Sequence, residues 1–494
     1  MDPLILAIDQ GTTSTRAIVF GLDWKPRTIR QIELAQHYPK PGWVEHDAEE
    51  IWRAVVQTCR EAIADVGGPH HIAAIGITNQ RETTTLWERQ GGHPLHRAIV
   101  WQDRRTANLC NNLAAQGLAP MVQEKTGLVL DPYFSATKIA WLLDEVPEAR
   151  LRAERGELCA GTIDAYLIHR LTGGTAFATD VTNASRTSLV DLKGHDWDDE
   201  LLGVFSVPRA VLPDIRPCAG AFGTVSEALF GAAIPITGVA GDQQSALVGH
   251  AALRPGGVKV TYGTGAFLVI NVGAEPRQSH NKLLATVGYE TAAGRAFALE
   301  GSIFSAGSTV QWLRDGLQLI EDSRQSEAVA QALPDNGGVY LVPGFTGLGA
   351  PWWNAEARGA VMGLTRDTTR AHLVRAGLEA LAYQTHDLLD ALAADGAPRP
   401  TMLKVDGGVT ANGWAMQFLA DITGVPVERP AFQEMTALGA ARLAALGAGL
   451  IDSLDVAPAE APAHWEPKMA GPERDRLLAG WKSAVRGVLA MAGG

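Results

Sequence analysis

At 494 residues, with 46% hydrophobic and 19% charged side chains, the chain is globular in composition and too long for one ordinary core, so two or three domains are expected. A formal charge of −12 argues against broad attraction to nucleic acid or an anionic membrane surface, and no apolar stretch approaches the length of a spanning helix. Cys59, Cys110, Cys159 and Cys218 are scattered without disulfide or metal-ligand spacing, and no basic leader precedes the first apolar run, so a reducing cytoplasm is the expected setting.

The first element is a hairpin, with strands expected at 4–9 and 15–20 around Gln10-Gly11-Thr12-Thr13-Ser14. Gly11 lets backbone N–H groups approach an oxyanion, and Thr12, Thr13 and Ser14 add hydroxyl donors. Asp9 ends the first strand, where a carboxylate can face that oxyanion across a hydrated divalent cation. The turn suits a phosphate-and-magnesium cradle; taken alone it equally suits an ordinary polar hairpin.

Helical spacing follows over 49–63, then a buried strand over 71–78 that ends in Asn79-Gln80-Arg81-Glu82-Thr83-Thr84. Open α/β sheets place ligands just past the carboxyl ends of such strands. Strands are expected at 86–88 and 98–101, helices at 137–144 and 161–171, and mostly loop with short helices over 194–217. A strand running to Ala240 reaches Gly241-Asp242-Gln243-Gln244 and feeds a helix. The opening pattern then returns as Val258 to Ile270, strand, Gly-Thr turn and strand. Two such hairpins about 250 residues apart suggest a duplicated architecture, with halves 1–250 and 251–494. Later come a long amphipathic helix over 369–392, stopped at Asp395-Gly396, a strand over 402–406 with Gly407-Gly408 behind it, and a helix opening at Ala411-Asn412. The helix over 436–444 carries small residues on one side, fit for close packing, and a terminal helix follows a Pro/Ala-rich stretch.

Four glycine-bearing turns thus stand at strand ends: Asp9-Gln10-Gly11, Gly241-Asp242, Tyr262-Gly263-Thr264-Gly265 and Asp406-Gly407-Gly408. In this order they resemble the actin-like ATPase superfamily, and within it the FGGY carbohydrate kinases, from about residue 4 to about residue 450. Tyr133 to Glu145 fits the family's first signature, and Gly359 to Glu379 nearly fits the second, with Gly377 departing from the usual residue. The resemblance implies an α/β fold of two actin-like (ribonuclease H-like) domains with a cleft between them. It also implies ATP and Mg2+ as cofactors, and a homodimer or homotetramer.

The segments Asn79 to Thr83, Trp101 to Thr106, Asp131 to Phe134 and Gly241 to Gln244 look like those of family members acting on glycerol. The resemblance therefore implies ATP-dependent phosphorylation of glycerol, with Arg81, Glu82, Trp101, Tyr133, Asp242, Gln243 and Phe267 around the triol. These side chains suit it, as donors, acceptors and apolar walls. Asp242 is the candidate general base, since a primary alcohol needs its proton accepted as transfer proceeds; a helix cap is the plainer reading of the same residue. Asp9 and Asp242 are the metal candidates, and Thr12, Thr13, Ser14, Arg16 and Thr264 the phosphate contacts. Similarity places Gly307, Gln311, Gly408 and Asn412 beside the nucleotide. The alternative readings are a kinase for another small polyol or ketose, such as dihydroxyacetone or erythritol, and a chaperone-like ATPase module, for which no spare segment is visible. His93, His195 and His386 have no nucleophile or metal set near them, and Trp352-Trp353 is expected to pack beneath the cleft. Where some relatives hold a sugar bisphosphate, this chain reads Ala228 to Ile234, with neither a basic residue nor a histidine. Control by that route is not expected.

Overall fold

The computed structural model describes residues 2–493 and sets two twisted mixed sheets side by side. In the first, Leu4–Gln10, Ser14–Phe20 and Pro26–Glu33 form an antiparallel meander. Ile72–Asn79 joins Leu4–Gln10 in parallel, Pro235–Gly241 follows in parallel, and Ala219–Thr224 closes the edge antiparallel. The second sheet repeats this plan. Val258–Tyr262, Ala266–Gly273 and Gly294–Ile303 make the meander, with Leu284–Thr291 added outside it. Leu403–Asp406 and Val427–Arg429 then run parallel, and Ala463–Trp465 forms the antiparallel edge. The duplication read from the two Gly-Thr hairpins is therefore a duplication of sheet topology.

Both faces of the first sheet are covered, which is why its strands read as continuous apolar runs. Alternation along the strands divides them: Leu6, Ile8, Ala17 and Val19 join the core that holds helix Ala48–Asp65, whereas Ile5, Ala7, Ile18 and Phe20 face helix Met435–Gly447. Helix Ala48–Asp65 begins at Asp47, whose carboxylate accepts from the N–H groups of Glu49 and Glu50 and contributes about 1 kcal/mol as a cap. Helix Met435–Gly447 arrives late in the chain yet lies directly on the first sheet. A Cβ on Gly76 would overlap the Ala440 carbonyl, and one on Gly238 would overlap the Ala444 N–H. Thr237 Oγ1 donates to the Ala444 carbonyl at 2.8 Å, at the same contact. The small-residue face of this helix is used as its sequence suggests.

Several elements differ from expectation. Gly161 and Thr162 are not helical: they finish strand Leu158–Thr162, paired with Thr85 and Thr84, and the helix starts at Ile163. The strand expected over 98–101 is only Ala98–Ile99. Within 194–217 there is, besides helix Asp199–Phe205, a short strand Asp214–Arg216 that pairs with Ala178–Asp180. Helix Arg370–Ala394 is continuous through Gly377, where an added Cβ would sit 2.6 Å from Leu313 Cδ1. The glycine there makes room for a neighbour. All four cysteines are free and buried, and no helix among the described residues is long and apolar enough to cross a membrane.

Candidate active site

The two Gly-Thr hairpins carry the phosphate candidates. In the first, Gly11 N–H donates to the Ser14 carbonyl at 2.9 Å, and Gln80 Nε2 donates to the Gly11 carbonyl at 3.1 Å, so the polar segment after Ile72–Asn79 braces the turn. Thr13 is exposed at the tip, Thr12 is half-buried and Ser14 buried. In the second, the N–H groups of Ala306 and Ser308 donate to the Thr264 carbonyl at 3.0 Å, and Gly307 N–H donates to the Gly263 carbonyl at 2.9 Å. Helix Gly307–Gln311 is thereby docked on the turn. Gly407 adopts φ +93°, and a Cβ there would run into Tyr262; only glycine lets this turn lie so near the hairpin. A cavity of about 280 Å³ between these turns is lined by Thr264, Gly307, Gln311, Gly408 and Asn412 together. It also touches Ser326, Arg324 and Glu327, which the sequence did not single out. The Asn412 side chain is itself engaged, capping helix Gly413–Thr423 by accepting from Ala415 N–H.

The polyol candidates converge from both halves. Trp101 meets Tyr133 edge-on at 5.6 Å and Phe267 at 6.3 Å between ring centroids, which makes an aromatic wall. Trp101 Nε1 also donates to Thr12 Oγ1 at 3.0 Å, tying that wall to the first Gly-Thr hairpin. Beneath lie Arg81 and Glu82, each with a side chain only 2% exposed, which rules out a surface ion pair. Arg81 grips Glu300 with Nη1 at 2.6 Å and Nη2 at 2.9 Å, and its Nε stands 3.2 Å from Asp242 Oδ1. Glu82, held at φ +59°, accepts from Arg186 Nε at 2.6 Å. Gln243 accepts from the Lys259 ammonium, which also donates to Thr261 Oγ1 at 3.0 Å.

Arg186, Glu300 and Lys259 are the residues missed in the sequence. For Glu300 and Lys259 the signal was a charge inside an apolar strand, Glu300 among Ala298, Leu299 and Gly301 and Lys259 between Val258 and Val260, whereas Arg186 sits in the polar turn after helix Val181–Ala184 and carries no such signal. Burial alone would raise the Glu300 carboxyl, but the Arg186 and Arg81 guanidiniums outweigh it and hold the group at about 2. At Glu82 burial prevails and pushes the carboxyl up. Burial likewise lowers the Lys259 ammonium to about 8.

Asp242 is the first residue of helix Asp242–Gly249, with Gly241 as the cap; its side chain is 30% exposed to the cleft. Asp9 is nearly buried. Burial pushes its carboxyl up to about 7, Glu434 and Asp242 push the same way, and Arg16 opposes them. Arg16 Nη1 is shared, at 3.4 Å from Asp9 and 3.3 Å from Glu434. Two carboxylates with one divided cation between them are short of positive charge. Among the described residues no group of three or more ligating side chains forms a metal cage. The arrangement fits a magnesium ion that arrives with phosphate oxygens and waters in its shell.

Other candidates fall elsewhere. His195 Nδ1 contacts Arg295, and burial lowers the pKa of His386; neither touches the cleft residues. Trp352 and Trp353 are half-buried against the apolar cluster around the second sheet, which includes Val260, Leu268, Leu299 and Val405, with Trp353 edge-on to Phe304. A larger cavity of about 690 Å³, lined by Arg89, Arg152, His169 and Arg170, lies apart from this chemistry.

Comparison with known proteins bears on the family and the fold. The N-terminal domain of the FGGY family of carbohydrate kinases matches residues 4–249, and the C-terminal domain of the same family matches residues 258–448. The chain is 57% identical over 486 residues to a glycerol kinase of Alcanivorax borkumensis, covering 98% of both proteins. It is 54% identical to glycerol kinase 1 of Pseudomonas aeruginosa, covering 99% of each. Its fold superposes on the crystal structure of Plasmodium falciparum glycerol kinase with ADP at a TM-score of 0.94 and 38% identity, covering 99% of this chain and 98% of that one. A gluconate kinase from Lactobacillus acidophilus shares the fold at a TM-score of 0.88 and 23% identity.

Proposed function

The chain belongs to the FGGY family of carbohydrate kinases, and from that premise we propose that it phosphorylates glycerol with ATP to give sn-glycerol 3-phosphate. The observation that carries this reading is the joining of the aromatic wall to a phosphate hairpin. Trp101 faces Tyr133 and Phe267 and at the same time donates to Thr12. A small triol seated there lies beside the γ-phosphate it must attack. The relatives cited above carry the name of that activity over the whole chain.

Phosphoryl transfer asks for in-line placement and neutralised charge, with little covalent work by the protein. Asp242 accepts the proton of the attacking terminal hydroxyl, and Arg81 Nε at 3.2 Å keeps its carboxylate oriented. Glu82 and Gln243 take the remaining hydroxyls, while the aromatic wall excludes water from the carbon chain. Thr12, Thr13, Ser14 and Thr264, with Arg16, receive the phosphates, and the cavity at Gly307, Gln311, Gly408 and Asn412 receives the nucleoside end. Asp9 and Asp242 would hold Mg2+, which supplies charge neutralisation on the triphosphate when bound. Residues 1–250 carry most of the polyol side and the first phosphate hairpin, 251–494 carry the second phosphate hairpin and the nucleoside side and lend Phe267 to the polyol wall, and the halves close on each other around the substrates. A cytoplasmic homodimer or homotetramer completes the reading.

A coupled assay with glycerol and ATP tests it. Turnover dependent on glycerol is expected, with kcat/KM higher for glycerol than for dihydroxyacetone or erythritol. ATP hydrolysis indifferent to every polyol would refute it.

A further inference from the structure

At the far end of the first hairpin from Thr12, a cavity of about 440 Å³ opens between the turn at Trp24, helix Met435–Gly447 and the stretch around Pro458. Its apolar walls include Trp24, Phe432 and Leu438, and Arg442 lines it from the helix. Arg442 is only 2% exposed. Its Nη1 donates to the carbonyl of Gly249 at 2.8 Å, and its guanidinium carbon stands 5.4 Å from the Trp24 ring. Its Nε has no partner.

This arginine differs from the others in the interior. Arg81 is paired with Glu300, Arg186 with Glu82 and Arg375 with Glu379. Arg442 has neutral carbonyls and a π face but no carboxylate within ion-pair distance among the described residues. A buried charge without a counter-charge is costly, because desolvation is not repaid. Burial correspondingly lowers its pKa to about 10. At the rim, Lys25 and Lys404 balance Glu428 and Glu460, with Lys25 at 3.7 Å from Glu460, so the Arg442 charge is the surplus one.

We propose that this cavity binds a small organic anion with a flat apolar body, its carboxylate or phosphate meeting the Arg442 guanidinium and its body lying against Trp24 and Phe432. The volume is that of an ordinary small-molecule site, and a planar guanidinium fork is matched to both anionic heads. The cavity is separate from the phosphate hairpins. Its wall nevertheless reaches the nucleoside half, since His250, which lines it, contacts Asp406 Oδ2 at 2.7 Å, immediately before Gly407.

The full chain is titrated by calorimetry with benzoate, phenyl phosphate and the neutral benzyl alcohol. Saturable binding of at least one anion is expected, tenfold or more tighter than benzyl alcohol, and the two anions tell a carboxylate ligand from a phosphate one. Arg442→Met should weaken that binding at least tenfold while leaving glycerol turnover unchanged. Should that variant not fold, Ala431→Trp on the exposed rim blocks the mouth with the arginine intact and should give the same loss. No saturable binding of either anion at millimolar concentration overturns the proposal. So does binding that survives Arg442→Met or Ala431→Trp undiminished, which would place the anion in another site.

Discussion

Removing one negative charge from beneath the polyol floor, by Glu300→Gln, tests whether the cleft rests on a balanced set of ions. Arg81, Arg186, Glu82 and Glu300 are neutral as a group, with side chains 0–2% exposed. Glu300 accepts from Arg81 twice and from Arg186 at 3.3 Å. Its carboxyl is held at about 2, against 4.5 for an unperturbed glutamate, which corresponds to about 3 kcal/mol of stability at neutral pH. Breaking a buried pair from one side costs about 3–5 kcal/mol in general. The two figures agree, so Glu300→Gln should lose about 3 kcal/mol in urea denaturation at pH 7. Because the folded-state pKa lies below the unfolded one, this contribution is complete above pH 4.5 and fades as the pH falls toward 2. The gap between wild type and variant should narrow over that same window. With Arg81 released from its bidentate grip, KM for glycerol should rise as well. Arg186→Met added to Glu300→Gln restores neutrality and should recover part of the stability. A loss under about 1 kcal/mol with KM for glycerol intact would refute the charge-balance argument.

Asp242→Asn should lower kcat by about a hundred- to ten-thousand-fold, the range of general-base catalysis, with ATP affinity by calorimetry nearly unchanged; full turnover would remove Asp242 from proton transfer. Phe267→Ala removes the wall contributed by the second half and should lower kcat/KM for glycerol about ten- to a hundredfold, from about 1.5–3 kcal/mol of lost apolar contact. An equal loss for all polyols and for ATP alone would argue against a substrate wall. Gly377→Ala should gain about 1 kcal/mol of helix propensity yet lose about 1–3 to the clash with Leu313, for a net loss; a more stable variant in urea would count against that contact. Fructose 1,6-bisphosphate should leave the rate unchanged, since Ala228 to Ile234 offers no cation to it; strong inhibition in a titration would overturn this.

The site was legible in sequence where chemistry coincides with local grammar. Glycine with threonine between two apolar runs marks each of the two hairpins that the proposed function uses for phosphate, and Arg81-Glu82 stands out because a polar burst follows a buried strand. The cavity that gathers Thr264, Gly307, Gln311, Gly408 and Asn412 unites residues spread over nearly 150 positions; Thr264 was picked out by its own turn, the other four by the family resemblance and not by any local pattern. What stayed hidden is long-range. Arg186 and Glu300 meet Glu82 and Arg81 across 104 and 219 residues respectively, and no local pattern announces such a pairing. Strand Gly294–Ile303 was likewise missed, because its register is set by its neighbours Ala266–Gly273 and Leu284–Thr291. Helix Ile163–Leu171 was extended backward because Gly161 and Thr162 are committed to a ladder with Thr85 and Thr84 that periodicity cannot see.

The late helix Met435–Gly447 has an outcome for any attempt to split the gene. A fragment ending near 250 would leave Ile5, Ala7, Ile18, Phe20 and Ala74 open to water, because their cover is encoded nearly 200 codons downstream. Ribosomes finish the amino-terminal half long before its lid exists, so that face must wait, sticky and unprotected, for the end of synthesis. Truncations anywhere upstream of Met435 should therefore aggregate as a whole, the early half included.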